Sequence, residues 1–207
     1  MASRNLIYLV SVFIFLGCGG GSSKTTTVGD ALLANNAVNS APWAQETLSI
    51  PSDEKKIEIG ETLNIIIQET ILYYSTHFKH AKTTSNINTT LTGATGGTVK
   101  MVGTIEDGIE SDPRPIDATS EIKFTFDGLK TNTCFLHGVL FYKAVFSYNS
   151  DDNFEGNITM HGGCSYKDAD GVYSIKCQLE MNVTRINGAT TVDYVYTING
   201  DTFTGTK

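Results

Sequence analysis

Apolar side chains recur at helical spacing between residues 59 and 78. Ser52 is a suitable N-cap residue for a helix that contains them, and Asp53 and Glu54 follow it in the first turn, where the helix dipole favours acidic side chains. The pattern predicts an amphipathic helix over Ser52–Ala81, whose apolar face needs a partner. The residues of that face are Ile59, Leu63, Ile66, Ile67, Tyr74 and Phe78.

From about Thr89 onward the apolar period changes to two, which is typical of β-strands with one buried face. Turn-forming residues separate the alternating segments from one another. The pattern predicts about six or seven strands joined in sequence. The segments are 99–105, 121–126, 134–148, 154–160, 173–183, 192–198 and 202–204.

The segment 134–148 differs from the others because it is apolar on both faces. Leu136, Leu140 and Tyr142 lie on one face, and Val139 and Phe141 lie on the other. A strand of this kind is typical of the centre of a sheet that is covered on both sides. The alternative is a strand with a β-bulge, which would move residues from one face to the other.

Three dipeptides predict tight hairpins: Asp170-Gly171, Asn187-Gly188 and Asn199-Gly200. With two-residue loops, the last two turns set Val183 against Val192 and Tyr196 against Phe203. The first turn sets Cys164 against Cys177 and Met160 against Met181. These registers place one apolar face across four strands.

Backbone geometry limits these registers. A strand residue points its N–H and C=O groups toward the same neighbouring strand. Consecutive two-residue loops at all three turns would require some residues to point away from both neighbours. At least one turn must therefore be a four-residue loop, or a bulge must intervene, and a four-residue loop would leave the faces unchanged.

These patterns together predict one α+β domain. Its antiparallel β-meander of about six or seven strands is expected to curve around, or pack against, the N-terminal amphipathic helix, because each has an apolar face to bury. The curved sheet would either close into a barrel or remain an open half-barrel.

The chain has 207 residues and a formal net charge of −7 at pH 7. This length is sufficient for one domain with a substantial core. An acidic surface without a basic stripe argues against nucleic acid as a partner, and against electrostatic binding to anionic lipid.

The N-terminal segment has the features of an export signal. Arg4 precedes an apolar run from Leu6 to Leu16, which ends in Gly17-Cys18. A run of about eleven residues is too short to span a bilayer, for which about twenty are needed. A positive charge, a short apolar region and a small residue before the cleavage point are typical of a secretory signal peptide.

The end of this signal, Phe15-Leu16-Gly17-Cys18, resembles the lipobox of bacterial lipoproteins. In that family the cysteine receives a diacylglyceryl thioether, the preceding peptide is removed and the new amino group is usually acylated. Phe15 and Leu16 depart from the family's preference for Leu followed by Ala or Ser. The resemblance implies lipidation at Cys18, and Gly19 after it implies transfer to the outer membrane. The alternative is an ordinary secretory signal with a chance cysteine.

The resulting organisation has three parts. Residues 1–17 are the expected signal peptide, and 18–50 are a lipidated N-terminus with a flexible tether rich in Gly, Ser, Thr, Ala and Asn. A tether of about thirty residues spans roughly 30 Å. Residues 51–207 form the single β-rich domain with its N-terminal helix.

Cys134, Cys164 and Cys177 remain beyond Cys18. Disulfides persist in the bacterial envelope, so the register of the Asp170 turn favours a Cys164–Cys177 disulfide. A bridge from Cys134 to either of the other two is the alternative, because spacing does not fix connectivity.

No pattern of residues indicates catalysis or a cofactor. The chain has no nucleophile elbow, phosphate-binding loop, dinucleotide fingerprint or zinc-protease motif. Its histidines are scattered, and carboxylates such as Asp168 and Asp170 lie in turns, where Asp is common for backbone reasons. We therefore predict no metal site, no cofactor and no enzymatic activity.

Three classes of function remain as hypotheses. The first is a membrane-anchored envelope lipoprotein with a structural or interaction role and a protein partner. The second is a carrier or sensor that holds an apolar ligand between the helix and the curved sheet, an idea that rests on architecture alone. The third is an enzyme, for which the sequence offers no positive sign.

Overall fold

The structure is a computed structural model that describes residues 48–77, 84–93, 95–106, 116–150 and 152–207. The expected signal peptide, Cys18 and nearly all of the expected tether lie outside the described residues. The last residues of the predicted helix, 78–81, and the acidic loop at 107–115 lie outside them as well.

The described chain forms one helix followed by eight antiparallel strands, each hydrogen-bonded to the next in the order β1 to β8. The domain is therefore α+β, with a simple meander sheet. The bounds are α1 Asp53–His77, β1 Thr84–Thr92, β2 Thr98–Glu106, β3 Ile116–Lys130, β4 Phe135–Ser150, β5 Asn153–Lys167, β6 Val172–Ile186, β7 Ala189–Ile198 and β8 Asp201–Thr206.

The sheet is open, so the predicted alternative of a closed barrel is wrong. Among the described residues, β1 pairs with β2 alone and β8 pairs with β7 alone. The sheet has eight strands, and the predicted number of six or seven is too low. The strand that the prediction missed is β1, in which Ile87 and Leu91 are the apolar residues among Thr, Ser and Asn. An alternation this sparse gives little periodic signal.

The two predicted Asn-Gly hairpins are confirmed. Val183 pairs with Val192 across the first, and Tyr196 pairs with Phe203 across the second. Asn187 and Asn199 have φ angles of 51° and 52°. These positive angles are what a two-residue hairpin turn requires, and Asn tolerates them better than most residues do.

The register predicted for the third hairpin is wrong by two residues. Four residues, Asp168 to Gly171, separate β5 from β6, and Cys164 lies opposite Ile175. One carboxylate oxygen of Asp168 accepts hydrogen bonds from the backbone N–H groups of Asp170 at 2.9 Å and Gly171 at 3.2 Å. This side-chain cap stabilises the longer turn. The apolar face is unchanged, as expected for a four-residue loop.

The apolar strand β4 is buried on one face and partly exposed on the other. Leu136, Leu140 and Tyr142 are buried, whereas Phe141 and Val145 are exposed large apolar residues. The prediction that both faces are covered is therefore wrong for the described residues. The alternative of a bulge that moves residues of this strand between faces is not supported either. The buried residues of β4 are all even-numbered, from Leu136 to Tyr148, and the register shift between Phe126 and Leu129 places the extra residue on β3.

Helix α1 begins as its sequence predicts. The Oγ atom of Ser52 accepts a hydrogen bond of 3.2 Å from the backbone N–H of Lys55, which is the expected N-cap interaction. Buried residues are not restricted to the apolar stripe. The polar side chains of Gln68 and Thr70 are buried too, and Gln68 donates a hydrogen bond of 3.3 Å to the hydroxyl of Tyr142 on β4.

The helix also contacts the other half of the sheet. A Cβ atom added to Gly60 would lie 3.2 Å from the ring of Tyr196 on β7, so the absence of a side chain allows a close approach there. Lys56 binds Asp201 at 2.7 Å, at the start of β8. The helix therefore has contacts with β4, β7 and β8.

A cluster of charges fixes the first turn of α1 to the β5–β6 turn. The Nζ atom of Lys55 lies 2.7 Å from Asp168 and 2.8 Å from Asp170, and 3.3 Å from Glu58 on its own helix. The side chains of Lys55 and Asp168 are 10% and 8% exposed. Burial alone would lower the pKa of the Lys55 ammonium, but its hydrogen bonds to these carboxylates raise that pKa well above its usual value.

The described part of the chain begins beside this cluster. The backbone N–H of Leu48 donates a hydrogen bond of 2.7 Å to the carbonyl of Val172, and Leu48 forms a parallel bridge with Tyr173. The segment before α1 is thereby attached to the start of β6.

Replacement of Lys55 by methionine should lower the free energy of unfolding by about 3–5 kcal/mol, because it leaves the buried Asp168 carboxylate without its cation. Lys56→Met is the matched control at the next residue. Its partners Asp53 and Asp201 are mostly exposed, so we expect a loss below about 1 kcal/mol. Urea unfolding followed by circular dichroism measures both values. Equal losses for the two variants would contradict the assigned role of Lys55.

Candidate functional site

A row of side chains crosses the outer face of the sheet, the face opposite to the core. Register places Val102, Lys123, Phe141, His161 and Gln178 directly opposite one another on β2 to β6. Directly opposite residues on one face of an antiparallel sheet are close enough for their side chains to interact. The meander therefore brings together five residues that are far apart in the sequence.

The central part of this row lines a groove of about 350 Å³, which we call the outer groove. Strands β3, β4 and β5 form it. Its lining residues are Glu121, Ile122, Lys123, Phe141, Tyr142, Lys143, Thr159 and His161.

An aromatic pair lies in the outer groove. The rings of Phe141 and His161 are stacked, with their centroids 5.2 Å apart and an angle of 16° between their planes. The Nζ atom of Lys123 lies 5.7 Å from the centroid of the Phe141 ring. Despite these neighbours, Phe141 is 43% exposed. A large apolar side chain with this exposure suits a binding contact, since aromatic residues are enriched at protein interfaces.

An ion pair lies beside the aromatic pair. Lys143 on β4 is 2.5 Å from Glu121 on β3, and both side chains are more than half exposed. Pairs this exposed contribute little to stability. At this position the pair surrounds the apolar centre of the groove with charged groups, and many protein interfaces have a polar rim of this kind.

The residues that line the outer groove include Glu121, Thr159 and His161, and no serine or cysteine is among them. Among the described residues, no group of three or more His, Cys, Asp or Glu side chains is arranged to hold a metal ion. The Asp168 and Asp170 carboxylates, which could have suggested a cation site, bind Lys55 instead.

Sequence reasoning missed the outer groove because it assigned Phe141 to a covered face. The signal that could have revealed the groove is the charged residue two positions farther along the same strand. Lys143 shares the outer face of β4 with Phe141, and a charged residue at that position indicates solvent on the same side. The pairing of Phe141 with His161 depends on a register that spacing alone does not fix.

The three domain cysteines are buried free thiols. Cys164 lies opposite Ile175 and Cys177 lies opposite Gly162, so the two cysteines are offset by two positions across the strands. Such diagonal neighbours are about 7–8 Å apart, at or beyond the usual limit for a disulfide. The register that predicted a Cys164–Cys177 bridge is therefore wrong, and the geometric reason for this bridge is removed.

Burial raises the pKa of all three thiols. For Cys177 burial raises the pKa to about 11, and for Cys164 the neighbouring Cys177 and Cys134 add to the effect of burial. The thiols are therefore protonated at neutral pH and are weak nucleophiles.

The histidines considered from sequence do not form a site in the described part of the chain. His137 lies 3.5 Å from Asp127, and His161 stacks on Phe141. His77 is the last residue of α1, and His80 lies outside the described residues.

Within the described ranges, no helix has the length and apolar character needed to cross a membrane. Comparisons with family models, with curated proteins and with solved structures find no match to this chain.

The free energy of unfolding should fall as the pH rises above about 8.5, the ordinary pKa of a thiol. The reason is that the unfolded chain loses thiol protons in this range while the folded chain retains them. Each thiol should lower the free energy of unfolding by up to about 1.4 kcal/mol per pH unit. Urea unfolding at several pH values up to about 10 measures the slope. The Cys164→Ala/Cys177→Ala variant should show a smaller slope, and an unchanged slope would contradict the protonated, buried state of these thiols.

Proposed function

We propose that this protein is a bacterial envelope lipoprotein, anchored to the outer membrane through lipid on Cys18, with a structural or interaction role and no enzymatic activity. The observation that carries the proposal is the N-terminal sequence. A charged residue, a short apolar run and Gly17-Cys18 are followed by a tract of glycine and serine. The charge, the short apolar run and the small residue are typical of a secretory signal peptide, and the end of the run resembles a lipobox.

The expected chemistry of the anchor supports a stable membrane association. A single acyl chain binds a membrane only reversibly, whereas two or more chains on one residue hold a protein stably. The tether at 18–50 would then separate the anchor from the domain that begins at residue 51. Its composition favours a flexible coil, so the domain would stand away from the bilayer.

The outer groove supports an interaction role. A partly exposed Phe141 sits between Lys123 and His161, beside the Lys143–Glu121 pair. Protein interfaces commonly combine an aromatic anchor with a polar rim. We therefore propose that a protein partner binds at this groove. Nucleic acid is not a proposed partner, because the chain is acidic.

A carrier of an apolar ligand between helix and sheet is the weaker proposal. At Gly60 the helix backbone approaches the Tyr196 ring so closely that an added Cβ would touch it, and Gln68 bonds directly to Tyr142. At both contacts the helix and the sheet touch directly, which leaves no space for a ligand at these two points.

Mass spectrometry of the protein purified from bacterial membranes tests the anchor. We expect a chain that begins at Cys18 and carries a diacylglyceryl group, with acylation of its amino group. Cys18→Ala should abolish lipid addition and leave the residues before it attached. A wild-type protein that is recovered in soluble form, with an unmodified Cys18, would contradict the proposal.

Site-specific photo-crosslinking in intact cells tests the outer groove. A photoreactive phenylalanine analogue at position 141 should form a covalent product with a partner protein. The same analogue at Thr184, an exposed position on β6 outside the groove lining, is the matched control. Products from position 184 alone, or from neither position, would count against a partner at the groove.

A further inference from the structure

Strand β1 has an open edge. Among the described residues it pairs with β2 on one side and has no strand on its other side. An edge strand presents a row of backbone N–H and C=O groups to which another strand can bind.

The hydrogen-bond pattern shows which residues of β1 face this open edge. The backbone N–H of Gly93, just beyond β1, donates a hydrogen bond of 2.9 Å to the carbonyl of Gly97, in continuation of the β1–β2 register. Alternate residues of a strand point their backbone groups to opposite sides. Odd-numbered residues therefore face β2, and the backbone groups of Asn86, Asn88 and Thr90 point outward.

The sequence of β1 lacks the features that commonly protect an edge. Thr84–Thr92 contains no charged residue and no proline. Edge strands that avoid pairing usually carry lysine, proline or a bulge, or are very short. The other edge, β8, is shorter and begins with Asp201, which is bound by Lys56 of the helix.

The absence of charge favours a second copy of this chain as the occupant. Each copy has a net charge of −7, so most surfaces of two copies repel each other. At the β1 edge two identical strands meet without like charges in opposition. The edge is also self-complementary, because an antiparallel pair centred on Asn88 sets Asn86 against Thr90.

The faces of the two sheets match in this register. Ile87 and Leu91 are buried, and they lie on the core side of β1. With Asn88 opposite Asn88, odd residues meet odd residues, so the core faces of the two copies continue one another. A shift by one residue would place core-side residues of one copy opposite outer-face residues of the other. It would also set residues whose N–H and C=O groups already bind β2 opposite residues with free backbone groups.

We propose that β1 pairs antiparallel with β1 of a second copy, with the twofold axis at Asn88, so that two eight-stranded sheets join at this edge. The outward backbone groups of Asn86, Asn88 and Thr90 supply the hydrogen bonds. This proposal does not depend on the lipid anchor or on the outer groove.

Disulfide trapping tests the register. In the full chain carrying Cys18→Ser, Asn88→Cys should form a covalent dimer under mild oxidation, because directly opposite hydrogen-bonded residues have Cα atoms about 5.5 Å apart. Asn86→Cys is the matched control. Its two copies would lie about 13 Å apart along the strands, since four residues separate them. Dimers from Asn86→Cys but not from Asn88→Cys, or from neither variant, would overturn the proposed register.

Analytical ultracentrifugation tests the association itself. The full chain carrying Cys18→Ser should sediment as a dimer whose fraction rises with concentration. Asn88→Lys should sediment as a monomer, because two lysines would then face each other. Gln178→Lys, which adds the same charge on the exposed face of β6, should remain a dimer. Circular dichroism confirms that both variants are folded. A Cys18→Ser chain that is monomeric at every concentration, or a dimer that Asn88→Lys leaves intact, would overturn the proposal.

Discussion

The structure depends on one property of the extended backbone: each strand residue directs its N–H and C=O groups to a single neighbouring strand. In a meander, each interior strand forms hydrogen bonds to one neighbour with every second residue and to the other neighbour with the remaining residues. The register of one hairpin therefore limits the register of the next. The four-residue Asp168–Gly171 turn is a consequence. It allows β6 to bind β5 with one set of residues and β7 with the other.

The same alternation separates the two faces of the sheet. The inner face contributes the core, together with helix α1, and the outer face carries the row through Lys123, Phe141 and His161. The helix is attached at its start by Lys55 and farther along by the bond between Gln68 and Tyr142. Apolar burial and a few satisfied polar contacts thus act together along the helix.

The sequence predicted the elements with strong periodicity. Local patterns that are compatible with only one type of secondary structure predicted these elements. They are the start of α1, the strands from β2 to β8 and the two Asn-Gly turns. Strand β1 has too few apolar residues for its period to be recognised, because only Ile87 and Leu91 of its nine residues are apolar.

The site was less predictable than the fold, for a physical reason. Whether Phe141 is covered depends on what lies above its face of the sheet, and within its own strand the charge of Lys143 is the one indication of solvent on that side. Cys164 and Cys177 illustrate the same limit, because a shift of two residues preserves their face but changes their partners. The period of apolar residues determines which face of the sheet a residue lies on, whereas the length of the turn determines which residue lies opposite it.

The hydrogen bond from Leu48 to Val172 joins the first described residue to the start of β6. Tension applied at Leu48 would act on this hydrogen bond and then on the first turn of α1, beside the Lys55 ion cluster. The path ends among β5 and β6 in the interior of the sheet, several strands away from the open edge at β1. A pull applied at Leu48 and the proposed pairing at β1 would therefore act on separate parts of the described domain.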